Sequence, residues 1–135
     1  MHVPNRSDEK WQFHDEVIAQ FSNFGSVPAI GFGDTNTGVP GVDEESKFFN
    51  KKEASWFSRI ETAGWQEVWR ERNPDAREFT WYSNHSNGFR LDQVFAPNHF
   101  ADAISNIRYG WGGREAKLSD HAAIVFDVAE LTGRF

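Results

Sequence analysis

Helical periodicity is confined to two stretches of this chain; its other apolar residues come in short runs bounded by Gly, Pro, Asn and Asp. That pattern predicts more strands than the helices can cover, so helices are expected on only one face of the sheet. The first helix is predicted over residues 8–23, where Phe13, Val17, Phe21 and Phe24 share one side; Ser7 suits the N-cap, and Asp8 and Glu9 suit the first turn. The second carries Phe49, Trp56, Phe57 and Ile60 and stops near Ala63-Gly64. Strands are predicted at 27–32, 79–82, 90–96, 101–109 and 122–129. In the third, Arg90, Asp92 and Val94 share one face, and Leu91 and Phe95 share the other. The charged stretch from Gln66 to Arg77 around Trp69 reads as a solvated connector, and residues 37–43 and 110–113 read as loops. The expectation is one α/β (α+β) domain over residues 1–135, with about five mostly antiparallel strands and two helices.

Thirteen Phe, six Trp and two Tyr supply bulky side chains for a core in a chain of 135 residues, which argues against disorder. Cysteine is absent, so disulfides, thiolate metal sites and thiol nucleophiles are excluded. The formal charge of −6 weakens any case for non-specific nucleic-acid binding, which needs a surplus of Lys and Arg. It does not weigh against a local metal site, which consumes carboxylates. No apolar run is long enough for a membrane span, and residues 1–8 lack the apolar core of a signal peptide, so a soluble, cytoplasmic protein is expected. Neither G-x-G-x-x-G nor G-x-x-x-x-G-K occurs.

Four short motifs stand at the ends of these predicted strands. Gly33-Asp34-Thr35-Asn36 closes the first apolar run, Thr80-Trp81 lies in the second strand, Phe89-Arg90-Leu91-Asp92 opens the third, and Ser119-Asp120-His121 precedes the last. Each alone has an ordinary explanation: turn chemistry, core packing, a same-face ion pair between Arg90 and Asp92, or a satisfied Asp–His pair. Taken in order they are much more specific. The sequence strand-Gly-Asp-x-Asn, Thr-Trp, Gly-Phe-Arg-Leu-Asp, Ser-Asp-His resembles the endonuclease/exonuclease/phosphatase superfamily, in particular exonuclease III and the abasic-site endonucleases. The resemblance runs from about Val3 to Val128 and matches only the C-terminal half of the family fold. Thr35 replaces the family's usual apolar residue, and Phe89 stands where abasic-site enzymes tend to have Trp. Residues 1–26 show no counterpart of the Asn and the metal-binding Glu that the family carries in its N-terminal half.

The resemblance implies half of a four-layered α/β sandwich and a metal-dependent phosphodiester hydrolase acting on DNA, with Mg²⁺ or Mn²⁺ as cofactor. It implies that Asp34 orients or deprotonates the attacking water, that Asn36 bonds the phosphate or that water, and that Asp120, with Asp34, lies in or near the metal shell. His121 would contact a non-bridging phosphate oxygen, with Asp92 accepting a hydrogen bond from its ring. Trp81 and Phe89 would wall a sugar pocket and Arg90 would support the same network. His2, His14, His85 and His99 match no family position and are read as structural or surface residues. A half fold would bare an apolar sheet face, so a homodimer or a complementing N-terminal half is expected as partner, but no membrane. Two alternatives stay open: a catalytically inactive binding or assembly module, and a phosphatase or phosphodiesterase with a substrate other than nucleic acid.

Overall fold

A computed structural model describes residues 1–130. Helices α1 (Ser7–Asn23) and α2 (Lys51–Thr62) are long enough to form a layer. Arg6, not Ser7, holds the N-cap of α1, and the Ser7 hydroxyl donates to Asp8 within the first turn. A capping box starts α2: the Asn50 side chain accepts from Lys52 N, and Glu53 accepts from Asn50 N. Between the helices lies β1 (Gly31–Asp34), and after them β2 (Trp65–Glu67), α3 (Val68–Arg72), β3 (Trp81–Tyr82), β4 (Gly88–Phe89) and β5 (Asp92–Pro97). Then come β6 (Ile104–Gly110), α4 (Gly112–Glu115) and β7 (Ala123–Val128).

Three antiparallel groups result: a sheet in the order β1–β5–β2, the hairpin β3–β4, and the ribbon β6–β7. Every residue of central β5 is buried. On the side of Phe95, α1 and α2 pack through Val17, Phe21, Trp56 and Ile60, with Phe21 stacked on Trp65 at 3.9 Å. On the opposite side Val94 and Ala96 meet Ile104 and Phe100, with Ile124 and Phe126 of β7 against them. The layers are therefore helices, sheet and ribbon, with both long helices on one face as expected. Phe32 leans on Phe126 at 5.5 Å and stays 50% exposed, so part of the ribbon-side apolar surface is bare. Among the described residues no helix is long and apolar enough to cross a membrane.

Several sequence expectations move. The first strand occupies Gly31–Asp34 rather than 27–32, because pairing with β5 begins at Gly31 and Pro28 has no amide hydrogen to donate. The third strand begins at Asp92, not at Arg90. The connector predicted to be solvated folds into β2 and α3, with Glu67, Val68 and Trp69 buried. Residues 101–103 form a single 3₁₀ turn before β6, and the glycines after Gly110 start the short α4.

Candidate active site

Asp34 and Asp92 face each other in the register of β1 and β5, at the sheet edge where both strands meet their loops. His121 comes from a separate element, just before β7. Its Nδ1 lies 2.8 Å from Asp92 Oδ2 and its Nε2 lies 3.7 Å from Asp34 Oδ2. With Asp92 ionised, Nδ1 is the donor, which directs the Nε2 side toward Asp34. This hydrogen bond, against the opposing effect of partial burial, holds the His121 imidazole above its ordinary pKa, with further help from the Asp92, Asp34 and Asp120 charges. Burial pushes the Asp34 carboxyl up, more strongly than the Asn36 amide and His121 pull it down.

Asn36 adopts a left-handed backbone, φ 47°, and its N–H donates to Asp34 Oδ1 at 2.9 Å, closing an Asx turn. Its side-chain amide donates to Val3 O at 2.5 Å. Thr35 points inward: it has no exposure, and its hydroxyl lies within hydrogen-bond reach of Leu91 O and of Gln93 Oε1. The buried polar partners explain how a hydroxyl is accommodated where the resembled family places an apolar side chain.

Asp34, Asn36 and His121 line a cleft of about 560 Å³ together with Phe48, Phe49, Trp81 and Phe89. Trp81 and Phe89 thus border the cleft. Asp120 does not join the carboxylates: its Oδ2 accepts the Trp81 indole N–H at 3.1 Å. Among the described residues, the one group of His and acidic ligand atoms lying within 4.8 Å of one another is Asp34, Asp92 and His121.

Arg90 is not a substrate contact. It is 0% exposed and its guanidinium binds Asp43 at 2.7 Å and Glu67 at 2.8 Å over the Trp69 ring, with no ion pair to Asp92. Arg70 pairs with the same Asp43. Burial pushes the Asp43 carboxyl up, but Arg90, Arg70 and the Val39 amide outweigh it and leave its pKa lowered. The cluster still serves the site indirectly: Arg90 donates to Tyr109 Oη at 3.1 Å, and Tyr109 donates to the Asp92 carbonyl at 2.7 Å. Asp43, Glu67 and Tyr109 were not singled out from sequence: they stand in a predicted loop, a charged stretch and a predicted strand, and nothing local marks them as one cluster.

His2 is the other residue sequence reading assigned elsewhere. Residues 1–3 lie along β1, with Val3 N donating to Asp34 O at 2.8 Å and a parallel bridge between His2 and Asp34. His2 Nε2 is 3.5 Å from Asp34 Oδ2. Gly33, at φ 136°, makes room: a Cβ there would stand 1.9 Å from the Met1 carbonyl oxygen.

A divalent cation implied by the resemblance can be tested against these donors. Mg²⁺ asks for near-octahedral oxygen ligands. Here two carboxylates converge, and hydrogen bonds from Asn36 N and His121 already take one oxygen of each. By themselves the described residues do not make a Mg²⁺ site; two carboxylates with an imidazole form a candidate site for a divalent ion that accepts nitrogen.

No protein-family model and no curated protein matches the chain. Solved structures do. An AP endonuclease from Archaeoglobus fulgidus superposes with TM-score 0.76 at 19% identity, over 90% of this chain and 54% of that one. A 3'-5' exonuclease from Neisseria meningitidis gives 0.72 at 19% identity, over 92% and 53%. An AP endonuclease from Leishmania major gives 0.73 at 14% identity, over 89% and 44%. The chain spans about half the length of these structures, and it has the fold of that part of them.

Proposed function

We propose that the chain is the C-terminal portion of a phosphodiester hydrolase of the exonuclease III type, acting on DNA. The observation that carries this reading is the Asp92–His121–Asp34 chain of contacts, with His121 and Asp34 lining an aromatic-walled cleft. In it, His121, whose proton affinity Asp92 raises, donates from Nε2 to a non-bridging phosphate oxygen and in its protonated form neutralises charge that would repel a nucleophile. Asp34, with its raised proton affinity, accepts the proton of the attacking water. Asn36 keeps a second amide hydrogen for the phosphate while the first holds Val3. A Mg²⁺- or Mn²⁺-dependent step would require oxygen ligands from outside this chain, in keeping with the Glu that the resemblance assigns to an N-terminal half. The bare surface around Phe32 and Val128 suits the docking of such a half or of a second copy.

The test is hydrolysis of an abasic duplex, single-stranded DNA and a phosphomonoester, side by side with Mg²⁺ or Mn²⁺. Cleavage of the duplex, reduced about 10²- to 10⁴-fold in His121→Ala, supports the reading; cleavage equal in both proteins refutes it. The shortage of oxygen ligands favours a second reading, a non-catalytic module that kept the cleft. That reading predicts duplex binding, lost in Trp81→Ala, without turnover.

A further inference from the structure

A second hollow adjoins the cleft. Trp81 and His121 line the cleft, and their chain neighbours Tyr82 and Asp120 line the hollow, with Arg114, Lys117 and Ser119 beside them. The guanidinium of Arg114 lies over the Tyr82 ring at 4.6 Å and over the Trp111 ring at 4.9 Å. Those contacts steady the charge and the side chain, but they leave its N–H donors without an acceptor. Every other described arginine reaches a carboxylate or a backbone carbonyl. Arg114 reaches neither among the described residues, and its Nη1 is closed off from solvent without a partner. Lys117, exposed in the turn after α4, likewise forms no ion pair among the described residues. The one acid in this lining, Asp120, is engaged by the Trp81 indole. In a chain of net charge −6, two neighbouring cations that meet no carboxylate leave their charge available to an anion from outside.

We propose that Arg114 and Lys117 bind a backbone phosphate flanking the one at His121, so that the hollow is a second subsite for the same DNA strand. Arg114 offers paired N–H donors to two phosphate oxygens, a geometry that a carboxylate-free guanidinium can give in full. Its contacts with Tyr82 and Trp111 hold it ready, so little side-chain freedom is lost when the phosphate arrives. Lys117 adds a mobile point charge at the same place. A local pair of cations beside the cleft also answers how an acidic chain holds a polyanion, since phosphate neutralisation depends on the charges that touch the strand. This inference rests on the reading that DNA occupies the cleft, and it adds two substrate-binding residues to it.

The full chain, kept in EDTA to prevent cleavage, is titrated with a labelled abasic duplex by fluorescence anisotropy over a salt series. Arg114→Gln should weaken binding at low salt by at least about tenfold and lower the salt slope by about one. Arg114→Lys should keep the slope and recover only part of the affinity, because a point charge replaces the fork. Lys117→Gln, on an exposed residue, should also lower the slope, and it carries the test should Arg114→Gln fail to fold in urea titration. Replacing the phosphates around the abasic site one at a time by neutral methylphosphonates then locates the contact: at one position the parent and Arg114→Gln should bind equally. Affinity and slope unchanged in both Gln variants, or a difference that persists at every methylphosphonate position, overturns the inference and leaves Arg114 as loop packing. That result, with binding still lost in Trp81→Ala, leaves the reading of the cleft intact. A duplex bound through Arg114 but never cleaved with Mg²⁺ or Mn²⁺ removes the hydrolase reading and keeps the subsite, and a parent that binds no duplex overturns both.

Discussion

Arg90→Met removes the one cation shared by two buried carboxylates. Asp43 keeps Arg70 and the Val39 amide. Glu67 keeps only backbone donors, Arg70 N at 2.8 Å and Val94 N at 3.2 Å, so it becomes a buried charge with no cation against it. Breaking a buried pair in this way costs about 3–5 kcal/mol. Against a total stability of about 5–15 kcal/mol the loss is severe but compatible with folding. With a urea slope of about 2 kcal/mol per molar, the midpoint at pH 7 should fall by about 2 M. Adding Glu67→Gln, which removes the stranded charge, should recover part of the loss. The pH dependence has a definite sign. Asp43 has a lowered folded pKa, so its contribution is present above its unfolded value of about 3.9 and is lost as pH falls through the folded one. With Arg90 gone, that acid-side loss should shrink. A midpoint shift under about 0.5 M, or a double variant no more stable than Arg90→Met alone, refutes the account.

In Asp92→Asn the His121 ring should titrate at lower pH than in the parent, followed by its ring-proton NMR signals. Because the folded His121 pKa is raised, its contribution is complete below the ordinary value and lost as pH rises through the folded one, and the variant should lack that loss; an unchanged His121 titration contradicts the pairing. His14 is buried, stacked on Trp56 at 4.0 Å, and lowered from 6.5 to about 4, chiefly by burial. Stability should therefore fall as pH drops from 6.5 to 4, and His14→Leu should flatten that slope in urea titrations. Gly33→Ala, strained at φ 136° and blocked by Met1, should cost about 1–3 kcal/mol and speed amide exchange at Val3. Protection of Val3 equal to the parent's would refute it.

The structure brings Asp34, Asp92 and His121 together because the end of β1, the start of β5 and the residues leading into β7 lie near one another; sequence reading grouped them, with Asn36, only through the order of four motifs that resembles a known family. It misassigned Arg90 because period-two spacing reports a face but not a partner; the pairing with Asp43 and Glu67 joins residues far apart in the chain. Asp120 stands apart from the carboxylate pair, since its neighbour in sequence, His121, turns toward Asp92 while Asp120 meets Trp81. The two long helices were legible from periodicity, whereas β2 and α3 were hidden by charges that turn out to be neutralised internally. His2 carried no local signal at all. Its position depends on residues 1–3 lying along β1, which the glycine at 33 permits but does not announce.

His121 arrives on a ribbon that shares no strand ladder with the sheet bearing Asp34 and Asp92. The imidazole–carboxylate contact is thus a polar tie between two strand groups that otherwise meet through the apolar packing of Val94 and Ala96 on Ile104, Ile124 and Phe126, and Tyr109, near the far end of β6, is a second such tie to Asp92. A ligand touching both His121 and Asp34 would add to that tie, so loosening either polar contact to Asp92 should be felt at the other.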